Sequence, residues 1–391
     1  MDRFVSELKK FFRKGDMILL VLCLVTTAFG CLVIASTTQT LSDASRYVPI
    51  QIIAALIGVG LYAVISSIDS QTLLEHRFWL TVFNVFLLLL LIPFGTDNGT
   101  GNKSWLNIPL LPVDIQPAEL CKIFFVLVLA SVMGAHQNRI SHPFSVLHIC
   151  FHTGLIVGLN LLLSRDMGVS MIFVFIFIVM SYSGGVNLLW FLAAGAAVVG
   201  LFPFIWNNVF SEYQRLRFEV LINPDLDPLG IGARYHTVRS LRSLTGGGLT
   251  GQGLFNGTRT QTPEALYAQH TDYIFSAIGE ELGYLGCALV LVLLFAIVAR
   301  CIWVGAKTPD YPRKMICFGC AGALIFQIMI NVGMCMGVAP VIGLTLPFIS
   351  YGGSSIISLY AMMGLVSGVH ARPAPVSHEL YIRPPRPKSY L

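Results

Sequence analysis

Apolar residues in this chain are gathered in long runs that short polar segments separate. Ten such runs occur, and each approaches the roughly 20 residues that a helix needs to cross the hydrocarbon core of a bilayer. The pattern predicts an all-α polytopic membrane protein with ten transmembrane helices and a large extracytoplasmic loop between helices 7 and 8. The runs cover residues 17–36, 48–67, 78–95, 117–135, 146–163, 168–183, 187–207, 274–299, 315–338 and 354–370.

Two stretches between the runs are too long for simple turns. Residues 96–116 mix turn-forming and apolar residues, as an interfacial loop does, and residues 208–273 form the only large polar segment. Because long structureless loops are uncommon, we expect 208–273 to contain short surface helices packed on the outer mouth of the bundle. The predicted organisation is a basic cytoplasmic N-terminus, a membrane domain and a cytoplasmic C-terminal tail, at residues 1–16, 17–370 and 371–391.

The composition and the placement of charge support this class. Only 12% of the residues are charged and 55% are hydrophobic, whereas an ordinary soluble domain has about 25% charged residues. This argues against a soluble enzyme, a disordered chain and a nucleic-acid-binding protein. Of the 25 basic residues, fifteen fall on the side of the N-terminus and only three, Arg46, Lys103 and Arg165, fall in short loops on the other side. Since basic residues concentrate on the cytoplasmic side, we expect both termini to be cytoplasmic.

The nine cysteines lie almost all within apolar runs and indicate no disulfide framework. Cys317 and Cys320 have CxxC spacing, but zinc sites of this kind need two further ligands, and thiol redox motifs need a βαβ context. We therefore interpret the cysteines as small apolar helix residues.

Ionisable residues inside a bilayer are costly, so each one is a candidate functional residue. Glu119 and Lys122 lie three apart at the start of the fourth run, hence on one helix face. They are either an internal ion pair that fixes helix packing or a lysine available to an anionic ligand. Asp166 lies in the short connection after the fifth run, where it is either solvated or placed at the centre of the bundle to bind a cation or a sugar hydroxyl.

Three carboxylates mark the start of the eighth run. Glu280 and Glu281 lie about two turns inside it, and we expect them to have a structural role, each capturing a basic or backbone partner. Asp272 lies in the segment HTDYIFS, where the long outer loop meets the run. It is either a helix cap, because a carboxylate suits a helix N-terminus, or a general base at the boundary between water and lipid. These two roles are compatible.

The long outer loop also carries arginines and a glycine cluster. The glycines between 246 and 257 favour tight turns, with a phosphate cradle as the alternative. In the segment LPFISYGGSS at 346–355, we interpret Ser350, Gly352 and Gly353 as packing residues. The arginines suit a solvated face, contacts to anionic lipid headgroups or recognition of a diphosphate. They are Arg215, Arg217, Arg234, Arg239 and Arg242.

Taken alone, these features fit a transporter as well as an enzyme. Six segments together, however, resemble the SEDS family of shape, elongation, division and sporulation proteins, typified by RodA and FtsW. They occur in the family's order and extend over most of the chain, which also has the family's ten-span layout. The segments are NKSWLNI at 102–108, IQPAELCKI at 115–123, NPDLDPLGIG at 223–232, GGGLTGQGLFNGT at 246–258, HTDYIFSAIGEELGYLG at 270–286 and LPFISYGGSS at 346–355.

The resemblance implies a peptidoglycan glycosyltransferase of the bacterial cytoplasmic membrane, with its active site on the outer face. Such an enzyme polymerises the lipid-linked precursor lipid II and works with a class B penicillin-binding protein, which cross-links the nascent glycan strands. By its match to the family's essential aspartate, Asp272 is the expected catalytic residue. A divalent cation, Mg²⁺ or Mn²⁺, is expected, and an organic cofactor is not. The expected substrate-binding residues are Glu119, Lys122, Asp166, Arg215, Arg217, Arg239 and His270.

In the implied mechanism, Asp272 deprotonates the 4-hydroxyl of the acceptor's N-acetylglucosamine, which attacks the anomeric carbon of the donor's N-acetylmuramic acid with inversion. Undecaprenyl diphosphate leaves, and Lys122, the loop arginines or a divalent cation stabilise its charge. Two alternatives belong to other classes. One is a lipid flippase or transporter, whose pathway is lined by the carboxylates and the lysine within the runs. The other is a non-catalytic scaffold that activates the penicillin-binding protein, with Asp272 only a cap.

Overall fold

A computed structural model describes most of the chain. The described residues are 14–41, 43–96, 102–107, 115–208, 210, 212–263 and 265–372. The predicted basic N-terminus up to residue 13, much of the predicted interfacial loop and the predicted tail from residue 373 lie outside the described residues.

The described part of the chain is built from α-helices joined mostly by short connections. A two-residue antiparallel pair, β1 (Gly95–Thr96) with β2 (Trp105–Leu106), joins the two sides of one loop. Short 3₁₀ turns occur at Gln137–Arg139 and Pro224–Leu226. The helices are α1 (Met17–Thr37), α2 (Ala44–Ser67), α3 (Ser70–Glu75), α4 (Arg77–Leu89), α5 (Leu91–Phe94), α6 (Pro117–Ala135), α7 (Pro143–Leu163), α8 (Met167–Ser183), α9 (Leu188–Asn208), α10 (Glu212–Ile222), α11 (Tyr235–Gly246), α12 (Ile274–Lys307), α13 (Tyr311–Cys335) and α14 (Gly353–Ala371).

The helices reproduce the predicted membrane-spanning runs. In the described part of the chain, nine helical segments are long and apolar enough to cross a membrane, with α4 and α5 together forming one of them. The tenth, α8, has 17 residues, which is at the short end of the range of about 17–25 residues that spans a bilayer. The prediction of an all-α protein with ten transmembrane helices is confirmed. The long outer segment contains α10 and α11, as expected.

Polar residues at the helix starts explain where several spans begin. The carboxylates of Asp16 and Asp166 accept the N–H groups of Leu19 and Val169, at the starts of α1 and α8 respectively. Proline occupies the first turn of α6, α7 and α13, where its missing N–H costs nothing. Apolar runs bounded by such residues form helices of defined length.

The bundle has a buried centre and a lipid-accessible rim. Most of α6, α13 and α14 is buried, whereas the most apolar part of α9 has no buried residue among those described. α14 packs along α2, and α13 contacts α6, α8 and α12. The outer-loop helix α11 rests on α12 and α13, so the outer loop is anchored directly over the buried helices.

The longest helix, α12, is interrupted near its outer end. Gly283 has φ 66° and ψ −164°, outside the helical region. The glycine-rich segment 246–257 packs against this break, since the N–H groups of Tyr284 and Leu285 donate to the carbonyls of Gly248 and Leu249 at 3.0 and 3.2 Å. The glycine cluster therefore forms the tight turns that the sequence favours, packed on α12.

The carboxylates of Glu280 and Glu281 fix the loop that follows this segment. Glu281 accepts hydrogen bonds from the hydroxyls of Ser36 and Thr260, at 2.6–2.7 Å, and thereby ties the end of α1 to the loop. Glu280 accepts the N–H of Arg259 at 2.6 Å. Both are almost completely buried and bind backbone and hydroxyl partners.

We expect Gly283→Ala to destabilise the protein by roughly 2 kcal/mol, because an alanine is strained at positive φ. Its Cβ would also overlap the backbone of Gly251 and Leu249. Gly154→Ala is the matched control, since Gly154 lies in α7 with no described heavy atom within 4 Å of the added Cβ, and alanine favours a helix. Thermal unfolding in detergent measures both. Equal unfolding temperatures for Gly283→Ala and wild type would show that the break does not require glycine.

Candidate functional site

Asp272 lies immediately before α12, where the outer loop meets the bundle. The N-cap of α12 is Tyr273, and this helix start has no side-chain cap. The carbonyl of Asp272 accepts a hydrogen bond at 2.8 Å from the Asn331 side chain, which also donates to the carbonyl of Leu344 at 2.6 Å. One amide on α13 therefore holds both the residue and the segment opposite it.

The Asp272 carboxylate faces the bare backbone of Gly343. Gly343 has φ 76°, and a Cβ built on it would lie 3.5 Å from Oδ2 of Asp272. Among the described residues, no hydrogen bond to the carboxylate oxygens of Asp272 is recorded. The cap interpretation is therefore not supported, and the carboxylate oxygens keep their lone pairs for another group.

Asp166 approaches the same segment from α8. Its Oδ1 accepts the N–H of Val169 at 3.1 Å and its Oδ2 accepts the side-chain amide of Gln116 at 3.2 Å. Gly168, two residues later, packs so closely that a Cβ would contact Ile342. The structure thus places Asp166 at the start of α8, partly buried and within electrostatic range of Asp272.

These surroundings shift the proton affinity of both carboxyl groups. Burial, with a further contribution from the negative charge of Asp166, raises the pKa of Asp272 to about 6. Burial also raises the pKa of Asp166, although the Val169 N–H opposes the shift, and the charge of Glu119 adds to it. Burial penalises the charged form of a carboxyl group, and a second carboxylate penalises it further. The two groups form a pair whose protonation is coupled.

Glu119 and Lys122 form an ion pair at the start of α6. Lys122 Nζ lies 2.9 Å from Oε1 of Glu119, and Ser358 on α14 donates to the other carboxylate oxygen at 2.9 Å. Lys122 is completely buried, with 0% of its surface exposed. Because its charge is compensated by Glu119 and its surface is buried, the lysine forms an internal ion pair and offers no open contact surface.

His270 and the segment before α14 close the other side of the site. The His270 ring packs edge-on against Tyr47 at 4.9 Å, and burial lowers the pKa of His270 to about 4, so the ring is neutral at neutral pH. Ser350 donates to the carbonyl of Thr271 at 2.6 Å, and the N–H of Gly352 donates to Gln51 at 3.2 Å. Gly353 is the first residue of α14. The contact of Ser350 with Thr271 holds the backbone immediately before Asp272.

The loop arginines bind backbone carbonyls. Arg215 donates to Asn207 at 2.8 Å, and Arg217 donates to Val341 at 2.6 Å. Arg239 donates to Ala265 at 3.3 Å and lies 4.1 Å over the ring of Tyr235. Arg217 is the one of the three whose acceptor is next to the site in sequence, because Val341 is two residues from Gly343.

Sequence reasoning missed three residues that shape this site, Asn331, Gly343 and Gln116. A signal existed for Asn331, which is a buried amide in a mostly apolar run and therefore needs a partner. Gln116 directly precedes the fourth run, close to Glu119. Gly343 carried no sequence signal, because only the fold brings it beside Asp272.

The comparisons with known proteins agree with this architecture. The sequence profile FTSW_RODA_SPOVE, described as "Cell cycle protein", matches residues 16–374. A probable peptidoglycan glycosyltransferase FtsW of Trichlorobacter lovleyi is 31% identical, covering 93% of this chain and 96% of that protein. The peptidoglycan glycosyltransferase MrdB of Escherichia coli K12 is 30% identical, over 91% of this chain and 93% of the relative.

A solved structure shares the fold as well. It represents a peptidoglycan synthase complex that coordinates polymerization and crosslinking, and one of its chains superposes with a TM-score of 0.76 at 28% identity. The match covers 91% of this chain and 97% of that one. The profile, the relatives and the shared fold all extend over nearly the whole chain. The chain belongs to the FtsW/RodA/SpoVE family of cell cycle proteins.

Proposed function

We propose that this protein is a peptidoglycan glycosyltransferase that polymerises lipid II into glycan strands and releases undecaprenyl diphosphate. The observation that carries the proposal is the carboxylate of Asp272, which has no recorded hydrogen-bond partner in the described structure and whose pKa is raised to about 6 by burial and by Asp166. A general base works best when its pKa lies near the working pH. Relatives named as peptidoglycan glycosyltransferases support the same activity.

In the proposed reaction, ionised Asp272 accepts the proton of the acceptor's 4-hydroxyl as that oxygen attacks the donor's anomeric carbon. The new bond joins this oxygen to the anomeric carbon, and the bond to the diphosphate oxygen breaks on the opposite face. The configuration inverts and a β-1,4 linkage forms. The proton remains on Asp272 until water removes it, and the electron pair leaves with the undecaprenyl diphosphate.

The departing diphosphate is anionic, and the two carboxylates of the site are anionic as well, so the leaving group needs a source of positive charge. No group of three His, Cys, Asp or Glu side chains that could hold a metal ion occurs in the part of the chain that the structure describes. Mg²⁺, however, is usually held by only one or two carboxylates together with substrate phosphates. Asp166 is a donor of that kind, and it would hold the divalent cation together with the substrate diphosphate, which leaves the Asp272 carboxylate for the proton. When bound, the cation would supply positive charge to the diphosphate.

We place the site on the outer face of the bacterial cytoplasmic membrane, with both termini in the cytoplasm. The distribution of basic residues supports this orientation. We also propose a class B penicillin-binding protein as the partner. The structurally similar chain is part of a complex that couples polymerization to crosslinking.

The test of the function is glycan synthesis by purified full-length protein, with and without a class B penicillin-binding protein, from lipid II and a divalent cation. Glycan strands resolved on a gel are the expected product. If wild-type protein makes no strands with any partner tested, the scaffold or the transporter is favoured. In that case, movement of a fluorescent lipid II across vesicles separates these two.

We expect Asp272→Asn to reduce glycan synthesis by about 10²- to 10⁴-fold, the usual contribution of a general base. Asparagine preserves the size of the side chain, so partner binding and the unfolding temperature stay near wild type. Asp225→Asn is the matched control, because Asp225 is an exposed carboxylate of the same outer loop. Full-length strands from the Asp272→Asn protein at the wild-type rate would overturn the role of Asp272 as base.

The pH profile tests the coupling of the two carboxyl groups. Only ionised Asp272 accepts a proton, so the rate should rise with pH, with a midpoint at about 6. Asp166→Asn removes one cause of the raised pKa and still caps α8, because asparagine is a good N-cap. The midpoint should therefore move to lower pH in this variant, whatever its maximal rate. An unchanged midpoint would show that Asp166 does not act on the base.

Asn331→Ala tests the positioning of the base. Removing the amide frees the carbonyls of both Asp272 and Leu344. We expect kcat to fall by on the order of 10²-fold, as a displacement of about 1 Å does, while the pH midpoint stays near the wild-type value. Asn84→Ala is the control, because Asn84 is a buried amide that donates to Cys121 at 3.3 Å instead. Equal losses in the two variants would indicate general destabilisation.

A further inference from the structure

A second polar cluster lies at the other end of the bundle. α6 begins beside Asp166, through Gln116, and runs for 19 residues, or about 28 Å at 1.5 Å per residue. His136 follows its last residue. His148 and His152 lie in the second and third turns of α7, and Arg77 begins α4. The cluster of His136, His148, His152 and Arg77 is thus separated from the carboxylate site by the length of one transmembrane helix.

The three imidazole rings are connected to one another. His136 Nε2 lies 2.9 Å from His148 Nδ1, and the hydroxyl of Ser145 lies 3.1 Å from His136 Nδ1. The ring of His152 lies 5.1 Å from that of His148. When Ser145 donates to His136 and His136 donates to His148, the remaining nitrogen of His148 carries a proton. No partner for this nitrogen is recorded within the described residues, so it is a donor available to an external acceptor.

The charged group recorded beside this cluster is positive, and no carboxylate is recorded there among the described residues. Arg77 lies within electrostatic range of both His148 and His152. The interactions recorded for the three rings, within the described part of the chain, involve Ser145, Phe151, Arg77 and one another, and they include no carboxylate. A proton added to one of these rings adds a positive charge beside Arg77, and the cluster therefore suits an anion.

The surface around the cluster faces lipid. On α7, Phe144, Leu147 and Phe151 have 62–77% of their surface exposed, and on α4 Phe78 and Trp79 have 67% exposed. α4 and α7 contact each other, so the polar cluster is set between two exposed apolar helix faces. A molecule that fits has an anionic group and acyl chains. Basic pockets between transmembrane helices bind the headgroups of anionic phospholipids.

We propose that the cluster of His136, His148, His152 and Arg77 is a binding site for the phosphate group of an anionic phospholipid. Arg77 and the free N–H groups of His148 and His152 donate to the phosphate oxygens, while the acyl chains lie along the apolar faces of α4 and α7. His136 and Ser145 orient the His148 ring. Because ionisable side chains within a transmembrane helix are costly, their occurrence here at two successive turns is explained by this ligand.

Lowering the pH should strengthen anion binding at this cluster. Histidine has an ordinary pKa of about 6.5, so lowering the pH adds positive charge to the cluster and strengthens binding of an anion. Each full positive charge near the membrane surface strengthens the attraction to anionic lipid by about fivefold. Binding should therefore be up to about fivefold stronger for each ring that gains a proton, which is measured by comparing about pH 5 with about pH 8.

Native mass spectrometry of the full-length protein, released from nanodiscs of phosphatidylcholine and phosphatidylglycerol in equal amounts, measures this binding. We expect wild type to retain phosphatidylglycerol preferentially, and more strongly at the lower pH. In the double variant His148→Gln and His152→Gln, the pH dependence should become weaker, because only His136 of the three rings remains. Arg77→Gln, at an exposed side chain, should weaken retention about fivefold at both pH values. The Arg77→Gln variant tests the proposal even if the double histidine variant does not fold.

His370→Gln is the control, because His370 lies at the same end of the bundle, on α14, where it packs beside Trp303 at 6.3 Å. This variant should behave as wild type. Retention of both lipids in their bulk ratio at both pH values would overturn the proposal, as would an unchanged pH dependence in the double variant. Equal losses in His370→Gln would also overturn it, since they would reflect the overall charge of the protein.

Discussion

The site depends on one physical constraint, which is that backbone groups leaving a helix inside a buried bundle need hydrogen-bond partners within the protein. The bundle meets this need at two interruptions. At Gly283 the carbonyls of the glycine-rich segment replace the helical ones. Between α13 and α14, the side-chain amides of Asn331 and Gln51 bind the exposed backbone. Because these bonds fix the non-helical backbone, they also fix the position from which the Asp272 carboxylate enters the site.

The buried charged groups near the site fall into two kinds, those with an opposite charge beside them and those without. Lys122 is neutralised by Glu119, and buried charges of this kind are tolerated only when paired. Asp272 and Asp166 have no cation beside them among the described contacts, and each raises the cost of ionising the other. An anionic diphosphate at this pair would meet repulsion. A divalent cation held by Asp166 would offset that repulsion, and this gives the proposed metal requirement its physical reason.

The sequence predicted the ten spans and the region of the site because both depend on local properties. Span position follows from runs of apolar residues, and the ion pair of Glu119 with Lys122 follows from their spacing on one helix face. The approach of Gly343 to Asp272 joins two segments that are 71 residues apart in the chain, and hydrophobic periodicity contains no information about it. The glycine cluster was ambiguous for the same reason, since its partner is the break in α12 and not a ligand.

The two carboxyl groups of the site differ in how their oxygens are used, and this difference assigns their roles. Asp166 accepts the N–H of Val169 and the amide of Gln116, so its lone pairs orient α8 and the start of α6. Asp272 is held through its carbonyl instead, which leaves its carboxylate oxygens available for a proton. When two neighbouring carboxyl groups have different surroundings, the less engaged group with a pKa nearer neutral pH is the better base. This supports the proposal that Asp272 is the proton acceptor, with Asp166 raising its pKa and available to hold the cation or a sugar hydroxyl.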